Sequence, residues 1–162
     1  MSDEVVFYTI RQCIDDIDEE YSETEKFITR FQDPEGGFYE EFAILLKLIE
    51  QIGERGAFVR YFRQEDKAEA LPSRPKKVKD LVIKMDSKLR LYCIRLSDRI
   101  VVLCNGGIKT RDGAEFCPNV SSHFRFANRV ADKLWAELND NNIRIVNKYL
   151  ETRFDDLGFQ LY

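Results

Sequence analysis

Residues 81–111, near the middle of the chain, constrain the fold most, because they read as three consecutive antiparallel strands. β-Branched and aliphatic residues fill the predicted strands, and the short polar breaks between them are typical of turns. We predict strands over residues 81–85, 89–96 and 99–105, with turns at 86–88 and 97–98. The sequence therefore predicts a small β-meander at the centre of the chain.

The register of the first two strands decides which side chains share a face, since a slip of one residue exchanges the faces. A two-residue turn would pair Ile83 with Arg90. A three-residue loop instead pairs Ile83 with Leu91 and leaves one clean apolar face, so we adopt it. Lys84, Arg90 and Tyr92 then lie together on the face away from the main core. That face is predicted to be either a solvated polar surface or a site for an anion.

A basic segment interrupts an otherwise acidic chain of net charge −4. Residues 1–73 hold 18 acidic and 8 basic side chains, and residues 112–162 hold 8 acidic and 6 basic ones. Residues 74–111 hold 11 basic side chains against 3 acidic ones. Such a concentration of positive charge attracts phosphate groups. The alternative is that the acidic helices fold over the basic segment and cancel its charge.

The composition argues against several classes of protein. No apolar run approaches the roughly 20 residues that a membrane span needs, and the acidic N-terminus does not resemble a secretory signal. The four cysteines lie far apart and the chain has a single histidine, so we expect no metal and no cofactor. These features predict a cytoplasmic protein with reduced cysteines.

Helical patterns precede the central strands. Residues 5–10 form a predicted strand, which residues 13–21 could follow as a helix. Ser22 and Glu25 have the spacing of a capping box, which predicts a helix start at Ser22. The clearest helix covers residues 38–52, and Gly53 and Gly56 are predicted to end it. The two helices are expected to pack as a hairpin.

The remaining segments complete an α+β prediction. Residues 57–71 fit either a strand or a helical turn, with residues 66–70 exposed to solvent. Residues 105–113 form a predicted glycine-containing loop that carries Lys109 and Arg111 to the end of the third strand. We predict a helix over residues 123–138 with Ser122 as its N-cap, and a final helix over 143–154. The expected fold is a small antiparallel sheet, a three-stranded meander plus an N-terminal strand, packed against the N-terminal helical hairpin and C-terminal helices.

Three short motifs carry a family resemblance. They are Leu-Arg-Leu-Tyr at residues 89–92, Arg-Ile-Val-Val-Leu at 99–103 with the glycines and lysine that follow at 106–109, and the upstream run at 49–62. This pattern resembles the RelE/ParE superfamily of toxins from bacterial toxin–antitoxin systems, in particular its HigB-like branch. The resemblance covers residues 38–138. It implies a single RelE-like domain over 1–162, with an N-terminal helical extension and a C-terminal helix and tail over 139–162.

Members of this family cut messenger RNA, often on the ribosome, without a metal ion. The resemblance implies that Lys84, Arg90 and Lys109 are catalytic, because they would stabilise the charge that develops when the ribose 2′-hydroxyl attacks the phosphate. It implies further contacts with RNA or phosphate at Arg111, Tyr92, Arg95, Lys76, Lys77 and Lys79. The expected partners are mRNA, the ribosome and a cognate antitoxin that could inhibit by covering the basic groove.

Two hypotheses from different classes follow. The first is the metal-independent endoribonuclease toxin, for which proton transfer needs a suitable side chain beyond the basic loop. Phe116 cannot transfer a proton, and His123 is either a proton-transfer residue or a structural one. The second is a non-catalytic interaction module on the same fold, with an interface supplied by the acidic N-terminal helices. Convergence of the three catalytic cations in one open groove favours the enzyme, whereas acidic side chains of residues 15–41 filling that groove favour the module.

Overall fold

The computed structural model describes residues 4–73 and 87–152. The helices in these ranges are α1 (Glu23–Phe31), α2 (Tyr39–Arg55) and α3 (Ser121–Asn139), with short 3₁₀ turns at Val59–Tyr61 and Ala114–Phe116. In chain order the strands are β1 (Val6–Thr9), β2 (Cys13–Ile14), β3 (Ile17–Asp18), β4 (Arg63–Glu65), β5 (Ala68–Leu71), β6 (Leu89–Ser97), β7 (Ile100–Ile108), β8 (Ile143–Val146) and β9 (Tyr149–Thr152). This mixture of helix and sheet confirms the predicted α+β class.

Five strands form one mixed sheet in the order β1-β7-β6-β5-β4. β1 runs parallel to β7, and every other neighbouring pair in this sheet is antiparallel. The sequence therefore located β1, β6 and β7 correctly. It ended β7 too early, because residues 105–108 continue the strand and do not form the predicted loop. None of the described helices is both long and apolar enough to cross a bilayer.

Helices cover both faces of the sheet. On one face Leu91, Cys93 and Val101 belong to a core that includes Phe27 of α1 and Ile52 of α2. On the other face, α3 contributes a second buried stripe, which packs against Tyr92, Ile94, Ile100, Val102 and Cys104. The face predicted to be a solvated surface or an anion site is therefore a second core.

The strand that neighbours β6 on its outer side is β5. Leu91 pairs with Leu71 of β5 and with Gly106 of β7, and the predicted pairing of Leu91 with Ile83 involves a residue outside the described ranges. The predicted strand over residues 81–85 lies outside the described residues. Of residues 66–70, which were predicted to be exposed, Asp66 and Lys67 are exposed, but Ala68 and Ala70 are fully buried on β5. Alanine suits this position because its small side chain lets α3 approach the sheet closely.

The N-terminal half contains an unexpected hairpin between β1 and α1. Residues 13–21 are not helical: β2 and β3 pair across a turn in which Asp15 and Asp16 have φ values of 52° and 61°, the backbone of a type I′ turn. α1 then starts at the predicted capping box, where the Glu25 amide donates to Ser22 Oγ at 3.2 Å. α2 passes through Gly53 and ends before Gly56, whose φ is +115°. The Phe27 and Phe42 rings, with centroids 6.3 Å apart, join the two helices.

A further unexpected hairpin follows α3. α3 starts at Ser121 with Val120 as its N-cap, so Ser122 is a helical residue and not the predicted cap. β8 and β9 replace the predicted final helix, and Asn147 in their turn has a φ of 58°. Asparagine tolerates that left-handed backbone better than most residues, which explains why the chain reverses there.

Candidate functional site

The candidate site lies along the edge of β7, where the chain passes beyond the end of β1. The last residue pair of β1 and β7 is Thr9 with Leu103. From that point α1 flanks the strand: Thr24 Oγ1 donates to the Cys104 carbonyl at 2.8 Å, and Arg30 Nη2 donates to the Gly106 carbonyl at 2.6 Å. Side chains of α1 therefore take the place of a neighbouring strand: they donate hydrogen bonds to β7 carbonyls on the side where β1 has ended.

A buried carboxylate organises this edge. Glu23, at the start of α1, accepts hydrogen bonds from Asn105 Nδ2 at 3.0 Å, Gln12 Nε2 at 3.0 Å and Lys26 Nζ at 2.8 Å. Arg30 Nη2 also donates to Asn105 Oδ1. Burial favours the neutral acid, but these hydrogen bonds outweigh it and lower the pKa of Glu23 below its ordinary value.

Replacement of Glu23 by glutamine should weaken folding in a pH-dependent way. Because its folded pKa is depressed, Glu23 contributes full stability above its unfolded pKa of about 4.3 and loses it as the pH falls through the lower folded value. We expect Glu23→Gln to cost about 2 kcal/mol at pH 7 and close to nothing in strong acid. Urea unfolding between pH 2.5 and 7 measures this difference. Glu50→Gln on the exposed side of α2 is the matched control, and a difference that does not change with pH would contradict the assignment.

His123 approaches the same edge from the other side of the sheet. It lies in the first turn of α3 and is half-buried. Burial lowers the pKa of His123, the Arg30 guanidinium lowers it further, and the Glu23 carboxylate acts in the opposite direction. The imidazole is therefore electrostatically coupled to both charged residues and is held neutral at physiological pH.

An open cleft of about 450 Å³ adjoins this constellation. Its lining residues are Arg30, Phe31, Phe38, Gly107, Ile108, Thr110 and Asn119. Arg30 is exposed to solvent although its guanidinium is fixed at the strand edge. The cleft thus offers one fixed cation, and the neutral imidazole of His123 is electrostatically coupled to that cation.

No protein-family model, curated protein or solved structure matches this chain. No group of three or more histidine, cysteine, aspartate or glutamate side chains within residues 4–73 and 87–152 is arranged to hold a metal ion.

The predicted catalytic residues are only partly found at this edge. Arg90 is 6% exposed, and its Nη1 donates to the carbonyls of Ser87 and Leu89, the latter at 3.0 Å. Lys109 is half-exposed, and its amide donates to the Lys88 carbonyl at 2.7 Å across the β6–β7 ladder. Lys84 lies outside the described residues. Of the two catalytic cations within the described residues, Lys109 is half-exposed and Arg90 is directed at the main chain, so this pair does not show the convergence in one open groove that would favour the enzyme.

The residues predicted to contact RNA differ in their exposure to solvent. Arg111 is exposed on the loop after β7. Tyr92 is fully enclosed, with its ring edge-on to Phe124 at 6.1 Å, and burial raises the pKa of its phenol. Arg95 lies on the opposite face, where Nε donates to the Ala57 carbonyl and the guanidinium pairs with Asp98. Lys76, Lys77 and Lys79 lie outside the described residues.

Sequence reasoning missed Glu23 and Arg30 as site residues, although a signal for them exists. The capping box fixes the start of α1, and residues seven positions apart lie two turns apart on one face of a helix. Glu23 and Arg30 have that spacing. Asn105 carried no comparable signal, because its partners are 75 and 82 positions away in sequence.

A larger cleft of about 1180 Å³ lies between β1, the β2–β3 hairpin, α3 and the β8–β9 hairpin. One wall carries Asp15, Asp16 and Asp18, and Arg129 and Lys133 come from α3. The apolar residues that line it include Ile10, Phe126, Val130, Leu134, Ile143 and Leu150. Its carboxylates repel phosphate, so its size does not make it the better candidate for chemistry on RNA.

Proposed function

We propose that this chain is a metal-independent endoribonuclease, the toxin component of a toxin–antitoxin system, and that it cleaves mRNA. The observation that carries the proposal is the Arg30 guanidinium, which is fixed at the β7 edge and lines the 450 Å³ cleft, with the His123 imidazole close enough to interact with its charge. A fixed cation can hold a phosphate, and a neutral imidazole can accept a proton. The resemblance of residues 89–109 to the toxin family supports the same assignment.

The proposed reaction needs no co-reactant. The neutral imidazole of His123 takes the proton of the ribose 2′-hydroxyl, and the 2′-oxygen forms a bond to the adjacent phosphorus. The bond from phosphorus to the 5′-oxygen breaks, and that oxygen leaves with a proton from solvent. The products are a 2′,3′-cyclic phosphate and a 5′-hydroxyl end. Arg30 and Lys109 would stabilise the charge that builds up on the phosphate oxygens.

Arg90 has a positioning role in this proposal. Its hydrogen bonds to the carbonyls of Ser87 and Leu89 fix the chain where Lys88 enters β6. Lys88 is the neighbour of Lys109 across the ladder. Arg90 therefore supports the strand end that carries these two lysines and does not itself contact the phosphate.

The test is inducible expression in a bacterial host with mapping of transcript 5′ ends. We expect growth arrest accompanied by new 5′-hydroxyl ends, with the ribosome as the expected location of cleavage. Arg30→Ala should strongly reduce both effects, because the phosphate would lose its fixed cation. Arg129→Ala is the matched control, since Arg129 lines the larger cleft and should leave both unchanged. Growth arrest without new transcript ends would contradict nuclease activity.

The larger cleft favours a second candidate function, that of a protein-interaction module. A partner segment with basic and apolar side chains would match its acidic wall and apolar lining. Under this alternative, charge reversal at Asp16 and Asp18 abolishes the growth effect, whereas Arg30→Ala leaves it intact. The same variants therefore separate the two functions.

A further inference from the structure

Phe116 is an aromatic side chain presented to solvent by a rigid turn. It is 73% exposed, more than any other large hydrophobic side chain among the described residues. By contrast, Ala114 at the start of the 3₁₀ turn and Cys117 directly after it are buried. The chain therefore anchors both ends of the turn in the core and leaves the ring between them in water.

Backbone hydrogen bonds fix the turn. The Phe116 amide donates to the Gly113 carbonyl at 3.1 Å, and the Cys117 amide donates to the Ala114 carbonyl at 3.3 Å. Gly113 has a φ of +77°, a backbone conformation that residues with a side chain rarely adopt. A Cβ at Gly113 would lie 3.0 Å from Phe116 Cδ2. The backbone that carries the ring is thus fixed, and little backbone entropy remains to be lost when a ligand packs against the ring.

The turn is fastened to the candidate site. Cys117 Sγ accepts a hydrogen bond from the Thr110 amide at 3.4 Å, and Thr110 lines the cleft with Arg30. Burial raises the pKa of Cys117, but main-chain and side-chain donors, Thr110 foremost, outweigh it and lower the value to about 7. The Cys117 carbonyl accepts the Ser121 amide at 2.8 Å and so leads directly into α3 and His123.

Charge around the turn favours a polyanion over a neutral apolar partner. Lys88, Lys109 and Arg111 lie at the end of the β6–β7 ladder and just beyond it, against the carboxylates of Asp112 and Glu115. Cations at the end of the β6–β7 ladder, followed in the chain by an exposed ring, suit single-stranded nucleic acid, in which the phosphates meet the cations and a base stacks on the ring.

We propose that Phe116 is the stacking platform for a base of single-stranded RNA whose phosphate is bound at the β7 edge. This inference rests on the proposed function and adds a contact that fixes the position of the nucleotide. Because every base has a π face, stacking alone tolerates any sequence. Phe116 therefore increases affinity for single strands without choosing a particular base.

The test is fluorescence anisotropy with a labelled single-stranded RNA 12-mer and the full-length protein. Phe116→Ala should raise the Kd about tenfold, and Phe116→Trp should restore it. The dependence of log Kd on log salt should keep its slope in Phe116→Ala, because no phosphate contact is lost, whereas Lys109→Ala should reduce it. Val59→Ala, which truncates another highly exposed apolar residue on a 3₁₀ turn, is the matched control.

A second measurement reports stacking directly. In Phe116→Trp combined with Trp135→Phe, the remaining indole should be quenched by the 12-mer, and an abasic 12-mer should not quench it. Unchanged RNA affinity in Phe116→Ala overturns the inference, as does a loss of self-association without a loss of RNA affinity.

The outcomes also separate this inference from the proposed function. If the protein binds the 12-mer through Phe116 but yields no new transcript ends, the stacking site stands and the nuclease function is excluded. If the protein is a nuclease but its Phe116→Ala variant binds RNA as tightly as the unmutated protein, the proposed function stands and the stacking site is excluded. If the unmutated protein does not bind the 12-mer, the stacking site is excluded.

Discussion

Replacement of Gly106 by alanine is expected to destabilise the protein by about 3 kcal/mol or more. Gly106 pairs with Leu91 in the β6–β7 ladder, and a Cβ at this position would lie 1.8 Å from the Arg90 carbonyl oxygen. No rotation of a side chain can relieve that contact, because both sides of it are main chain. The two central strands would have to separate, which breaks hydrogen bonds and opens both cores at once.

Gly37→Ala is the matched control, because a Cβ there meets nothing within 4 Å. We expect it to change the free energy of unfolding by less than about 0.5 kcal/mol. Urea unfolding followed by circular dichroism gives the midpoint and slope for both variants. A Gly106→Ala variant with the same midpoint as the unmutated protein would show that the strands can part at no cost, contrary to this account.

Gly106 also illustrates what sequence alone could not determine. A Gly-Gly pair after a strand predicts a turn or a close approach to a ligand. In the folded chain the pair lies inside β7, and the close approach is to protein backbone: the Arg90 carbonyl for Gly106, and the Asn119 carbonyl, 2.6 Å from a Cβ on Gly107. The predicted turn is wrong, because both glycines lie within β7 and neither has a positive φ. What occupies the space beside each glycine depends on the tertiary fold.

The elements that sequence located best are those fixed by local chemistry. The Ser22–Glu25 capping box set the start of α1, and the apolar periodicity of residues 38–52 set α2. β1, β6 and β7 followed from runs of β-branched and aliphatic residues. The short hairpins β2–β3, β4–β5 and β8–β9 were not predicted, because a strand of two to four residues is too short to establish an alternation that differs from a helical pattern.

The faces of β6 could not be assigned from alternation alone. Arg90 and Tyr92 on one face of β6 are compatible both with a face covered by water and with a face covered by a helix. α3 covers it, with Phe124 against the Tyr92 ring, and the chain supplies that helix some thirty residues later. The candidate site depends on the same long-range packing, since Glu23, Asn105 and His123 come from three separate elements.

Removal of the His123 imidazole is expected to give the largest loss of activity. A general base contributes about 10²- to 10⁴-fold to the rate, so His123→Gln should lower single-turnover RNA cleavage by that factor without impairing the fold. The measurement is the rate on a labelled RNA under conditions where all substrate is bound. Gln12→Ala, which removes one donor to Glu23 and leaves His123 in place, is a structural control and should retain most of the rate.

The pH profile separates a catalytic imidazole from a structural one. A general base works in its neutral form, so the rate should be constant above the pKa of His123 and fall below it. Burial and Arg30 lower that pKa, so the acid limb should lie below the ordinary histidine value of about 6.5. Arg30→Ala removes a neighbouring cation and should move the acid limb to higher pH, whereas Glu23→Gln removes a neighbouring anion and should move it to lower pH. Shifts in the same direction, or no shift in either variant, would exclude His123 as the base.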